Sequence, residues 1–111
     1  MPTTTRRARE RASTRERIIE AALRLLEDEG AAALTIRRIA TDVEYSAPVV
    51  YQHFANKDAL LLELVEHGHR LLLERIRQTP GAPGIDEHMI GIASEYVRFA
   101  GDHPHLYEVM N

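Results

Sequence analysis

The chain has 111 residues, enough for one compact domain and too few for two ordinary ones, and its 44% hydrophobic and 28% charged residues are the balance of a globular protein. It has no cysteine, which excludes disulfides and thiolate chemistry, and no apolar run reaches the ~18 residues of a membrane-spanning helix. The net charge of −3 is spread unevenly: residues 1–57 hold ten Arg and Lys against eight Asp and Glu, whereas residues 58–111 hold four against nine. Any surface for an anionic polymer is therefore expected in the first half. Arg6, Arg7, Arg9 and Arg11 are followed by no apolar stretch, which argues against a secretory signal and for a cytoplasmic location.

In chain order, residues 1–12 show no hydrophobic period and read as a flexible basic arm. Ser13 and Glu16 have the spacing of a capping box, so the first helix is expected to start there. Ile18, Ile19, Ala22, Leu23, Leu25 and Leu26 recur three and four apart, which makes that helix amphipathic, and Gly30 closes it. Glu27, Asp28 and Glu29, at the unfavourable end of its dipole, read as a solvated face.

Thr35 is a good N-cap for a second helix over 35–43, with Leu34 and Ile39 placed as a hydrophobic staple and Ile36, Ala40 and Val43 inward. A break at Glu44-Tyr45 precedes a third helix over 47–54, capped by Ser46, with Pro48 tolerated in its first turn and Val50 and Phe54 as its inward stripe. Asn56 caps a fourth helix running to about Gln78, lined by Leu60, Leu61, Leu64, Val65, Leu71, Leu72 and Ile76. Its internal Gly68 costs about 1 kcal/mol relative to Ala, which close packing of another helix would justify. Residues 79–84 read as a loop, and a fifth helix over 85–100 is expected to turn Met89, Ile92, Ala93, Tyr96, Val97 and Ala100 inward. His103-Pro104 opens a last short helix. The fold class is all-α: a three-helix bundle, a long connecting fourth helix and a partial helical region beyond it.

Two short helices over 35–43 and 47–54, joined by about three residues, have the layout of a helix-turn-helix motif at 35–54. The second would sit in the major groove of DNA with Ala47, Pro48, Val49, Tyr51, Gln52 and His53 outward. Tyr51 and His53 can donate to phosphates. Lys57 opposes the dipole at the start of the fourth helix, which makes sense if an anion sits there.

These residues resemble the N-terminal part of the TetR/AcrR family of transcriptional repressors. The resemblance rests on Arg17-x-x-Ile-x-x-Ala-Ala-x-x-Leu, on Glu29-Gly30, on Leu34-Thr-Ile-Arg-Arg-Ile-Ala, and on Ser46-x-Pro-x-Val-Tyr-x-His-Phe-x-Asn-Lys-Asp-x-Leu-Leu62. It covers residues 12–72. It implies a DNA-binding domain over 13–72 and the start of a ligand-binding and dimerisation domain over 73–111. It further implies that Thr35 and Arg37 touch phosphate, that Ala47, Pro48 and Val49 face base edges, and that Tyr51, His53 and Lys57 clamp phosphates; Ser46 and Gln52 complete the expected DNA-binding set, with base specificity leaning on Gln52, Arg37 or DNA shape. The implied partners are an operator half-site in double-stranded DNA, a second copy of the chain and a small-molecule effector that releases the repressor. Glu44 stands where the turn of the family carries glycine. The chain also stops where the family continues with further helices, so the usual dimer interface is expected to be absent. The alternative is a helical protein-interaction module that keeps the fold and has lost productive operator binding. The six histidines offer no metal-binding spacing, and nothing suggests an enzyme, a cofactor or a membrane partner.

Overall fold

The structure, a computed structural model, describes residues 5–81 and 83–111. In chain order it holds α1 (Arg6–Glu29), a 3-10 turn (Ala31–Ala33), α2 (Ile36–Val43), α3 (Ala47–Tyr51), α4 (Lys57–Arg77), α5 (Ile85–Asp102) and α6 (Pro104–Met110), with no strand among the described residues. Among the described residues no helix is long and apolar enough to cross a membrane. The all-α architecture follows from apolar residues at helical period and from side-chain caps at Thr5, Thr35 and Asn56.

The first helix corrects the sequence reading. Its N-cap is Thr5, whose Oγ1 accepts from the Ala8 amide at 3.0 Å, so Ser13 lies mid-helix and caps nothing. Of the supposed flexible arm, residues 6–12 are helical, and residues 1–4 lie outside the described residues. The physical reason is local. Arg, Ala and Glu are good helix formers, and Arg6 pairs with Glu10 one turn on at 3.0 Å. These turns extend past the core, so no hydrophobic period marks them.

Ile18, Ala22, Leu25 and Leu26 of α1 meet Leu34, Ile36, Ile39 and Ala40 of α2, Val50 and Phe54 around α3, and Leu60 and Leu64 of α4 in one buried cluster. Gly30 ends α1 at φ 89° and donates its amide to the Leu26 carbonyl at 2.8 Å. A Cβ there would also meet the His105 ring at 3.2 Å. The acidic end of α1 is not simply solvated. Glu27 bonds His103 Nδ1 at 2.8 Å and Glu29 bonds Arg38 at 2.7 Å.

The close approach expected at Gly68 is made by α6. A Cβ on Gly68 would lie 2.6 Å from Met110 Sδ and 3.2 Å from Leu106 Cδ1. The inward face expected for α5 is a second correction. Phe99 is its one buried residue, Ile92 and Ala100 are half-buried, and Met89, Ala93, Tyr96 and Val97 are exposed. Helical period identifies an apolar face without saying what covers it. The molecule measures 53 × 43 × 18 Å, and its thin dimension has room for about two helix layers at 8–10 Å spacing. Among the described residues no third layer covers α5.

Candidate nucleic-acid interface

The site is built on two short helices and the turn between them. Thr35 caps α2 by accepting from the Arg38 amide at 3.1 Å. Its backbone is extended, and Leu34 and Ile39 are both fully buried, as a staple requires. α2 buries Ile36, Ile39 and Ala40 and leaves Thr35, Arg37 and Arg38 exposed. Arg38 is held by Glu29 and by Asp42 at 3.6 Å, whereas the Arg37 guanidinium has no hydrogen-bond or ion-pair partner among the described residues.

The turn is a left-handed cap. Glu44 has φ 61° and ψ 31°, and the Tyr45 amide reaches back to the Ala40 carbonyl at 3.0 Å, the long bond that closes such a cap. Glu44 is the only non-glycine residue at positive φ among the described residues. The Tyr45 hydroxyl accepts from Arg17 at 3.1 Å, which ties the turn to α1. The hydrogen bonds from Arg17 and Thr14 hold that hydroxyl below the usual tyrosine pKa.

The third helix is shorter than its sequence suggests. It spans Ala47–Tyr51 rather than 47–54. The chain then tightens: the His53 and Phe54 amides both donate to the Val50 carbonyl, each at 3.0 Å. Ser46 stands at the N-cap position with extended backbone, but its side chain makes no capping bond. Val50 at 0% exposure and Phe54 at 2% anchor the segment from below. Pro48, Tyr51 and Gln52 are exposed on the outer side, Tyr51 at 53%, and Ala47, Val49 and His53 are half-buried. Burial lowers the His53 pKa below its ordinary 6.5, and the nearby Arg11 and Arg15 charges push it the same way, so it is neutral at physiological pH.

Lys57 is placed differently from the rest. Its Nζ donates to the Ala31 carbonyl at 2.9 Å, which fastens the start of α4 to the 3-10 turn. The N-cap of α4 is Asn56, whose Oδ1 accepts from the Ala59 amide at 2.8 Å. Asp58 in the first turn complements the dipole that Lys57 opposes. A lysine at this end of the helix thus has an internal partner.

Two residues that the sequence reading left in the arm and first helix belong to this region. Arg11 Nη2 donates to the Gln52 carbonyl at 3.3 Å, and Arg15 Nη1 donates to the His53 carbonyl at 3.2 Å. The Arg15 guanidinium also lies 4.5 Å from the centre of the Phe54 ring and pairs with Glu63. The available signal was their spacing of four, which puts both on one face of a helix once α1 is extended past Ser13.

Comparison with known proteins bears on this same segment. Residues 18–64 match the sequence model of a family described as bacterial regulatory proteins, tetR family. The class C tetracycline repressor protein of Escherichia coli is 48% identical over 52 residues, 47% of this chain and 24% of that protein. An uncharacterised HTH-type transcriptional regulator in the dhlA 5' region of Xanthobacter autotrophicus is 36% identical over 74 residues, 66% of this chain and 37% of that protein. The uncharacterised HTH-type regulator YobS of Bacillus subtilis is 25% identical over 95 residues, 86% of this chain and 50% of that protein. The chain therefore spans between about a quarter and a half of the length of these relatives.

Proposed function

We propose, from the premise that this chain belongs through residues 18–64 to the tetR family of bacterial regulatory proteins, that it is the DNA-reading part of a transcriptional repressor. The observation that carries the reading is the pairing of a rigid underside with a free outer surface on α3. Val50 and Phe54 are sunk in the core while Pro48, Tyr51 and Gln52 are exposed above them. A five-residue helix has no stability alone, so an exposed one fixed from below is suited to docking as a rigid body.

In this reading α3 enters the major groove with Ser46, Ala47, Pro48, Val49 and Gln52 toward base edges. Thr35, Arg37, Tyr51 and His53 hold the phosphates on either side. His53, neutral, contributes a hydrogen bond rather than a charge. Lys57 is fastened by one of its three donors to the Ala31 carbonyl, so it has less freedom to move onto phosphate than Arg37 and plays a smaller part. The DNA-binding unit runs to about residue 72. Residues 73–111 begin the region that pairs two copies and takes up the effector. Two copies would read half-sites about 34–36 Å apart.

The test is a fluorescence-anisotropy titration of the chain against a duplex that it selects from a random pool. Affinity is expected to fall steeply between about 50 and 200 mM salt. Arg37→Ala is expected to reduce the slope of log affinity against log salt by about 1, and Tyr51→Ala to weaken binding to any duplex. Salt-independent binding, or binding indifferent to both changes, would sink the reading. The exposed apolar residues of α5 favour a second reading, a protein-interaction module; it predicts oligomers that tolerate both substitutions.

A further inference from the structure

The outer end of α3 has an unusual support. The helix lacks a side-chain cap at its N-terminus, and at its C-terminus the Gln52 and His53 carbonyls point to α1 rather than onward along a helix. Each of these carbonyls receives a guanidinium from α1, from Arg11 and Arg15 respectively. Arg15 does more than cap. It donates to His53, covers the Phe54 ring and pairs with Glu63 of α4, so one planar group joins three elements. Its side chain is 38% exposed, and two of its five N–H donors are already committed to protein acceptors. A cation at a helix C-terminus also offsets the partial negative charge there.

We propose that Arg15, assisted by Arg11, is a positioning residue for the reading helix. The first helix holds the C-terminal end of α3 at the angle at which Pro48, Tyr51 and Gln52 meet DNA, and Arg15 itself touches no phosphate. The proposal rests on the DNA reading above for its consequence, and on the geometry alone for the anchor. It also assigns a role to the first turns of α1, which hold Arg11 in place from outside the core.

The test has two arms, both on the full chain. In the first, amide hydrogen exchange is followed in Arg15→Met, which keeps an unbranched apolar stem and removes every donor. Exchange is expected to accelerate at residues 50–54 and to stay unchanged at the core amides of α1 and α4. Uniform acceleration, or none, would overturn the anchor. In the second, Arg15→Met is titrated against the duplex selected by the wild-type chain and against an unselected duplex of equal length. The selected duplex is expected to lose about ten- to a hundred-fold in affinity, the range for hydrogen bonds to a charged group, and the unselected one almost nothing. The salt slope should not change. Equal loss on both duplexes with a slope smaller by about 1 would mark Arg15 as a phosphate contact and reject the positioning role. Arg15→Lys sharpens the distinction. A compact ammonium keeps the charge but lacks the planar fork that serves the His53 carbonyl and Glu63 together beside the Phe54 ring, so only partial rescue of the anchor is expected, whereas a contact that needs only a positive charge beside phosphate would be largely restored. A wild-type chain that binds neither duplex would refute the DNA reading, and the exchange arm would still decide the anchor.

Discussion

The bundle of α1–α3 with the start of α4 and the outlying α5 are built from similar residues and end up in opposite conditions. The bundle sinks Ile18, Leu26, Leu34, Ile39, Val50, Leu60 and Leu64 almost completely. Helix α5 is amphipathic too, yet it buries Phe99 alone and leaves Ile85, Met89, Ile90, Tyr96 and Val97 at 44–79% exposure. Between them, α6 belongs with the bundle. Leu106 and Met110 fill the space over Gly68, His105 covers Gly30, and His103 bonds Glu27. Arg75 of α4 faces His103 Nε2 at 3.4 Å and can only donate, so Nε2 accepts and the Nδ1–H donates to Glu27. An apolar stripe thus contributes to stability only where another element lies against it.

This contrast is broken most directly by truncating one side chain in each region. Leu26→Ala is expected to cost about 2–5 kcal/mol, because it leaves a cavity in a fully buried position. Ile90→Ser, at 65% exposure, should stay within about 0.5 kcal/mol. Comparable losses in thermal or urea melts would mean that α5 is covered after all. A smaller effect is expected where α6 meets α4. Gly68→Val places methyl groups where Met110 Sδ and Leu106 already sit, and overpacking of this kind costs about 1–3 kcal/mol. Met110→Ala in the same chain should recover part of it, which a denaturant melt of the double variant would show.

The turn offers a gain rather than a loss. Glu44 holds a left-handed backbone that glycine adopts without a Cβ clash, and its exposed side chain has no packing to lose. Glu44→Gly is expected to stabilise the bundle by about 1 kcal/mol or less once the greater chain entropy of glycine is counted, and to tighten DNA binding by removing an acid near the phosphates. An unchanged melting temperature and an unchanged titration would remove this idea. The smallest effect concerns pH. The folded His53 binds its proton less readily than the unfolded chain, so acidification through its ordinary pKa of 6.5 favours unfolding. Stability should therefore decline as pH drops below that value, and His53→Gln should flatten this part of the curve in melts between about pH 5 and 8.

The helix order, the caps at Thr35 and Asn56, the turn at Glu44 and most of the bundle core were legible in the sequence. Each is written in neighbouring residues: an oxygen-bearing side chain before an apolar period, or a glycine or its substitute after one. The start of α1 was not legible, because Thr5 and the arginines after it lie beyond the core and carry no period. The partner of Lys57 was not legible either, since the Ala31 carbonyl is 26 residues away in the chain. Arg11 and Arg15 were missed for a similar reason: their acceptors are backbone carbonyls 41 and 38 residues away, and a carbonyl leaves no trace in a sequence.

The sequence by itself determined that this chain is helical, where most of its helices break, and which short segment forms the helix-turn-helix. Those properties come from period, capping and turn chemistry, all of which act within a few residues. Only the tertiary structure decided how far α3 extends, which cations hold it, and which apolar face is covered. Those outcomes depend on what distant segments bring to the same place. α6 reaches Gly68 and Arg15 reaches His53, but nothing among the described residues covers the outer face of α5.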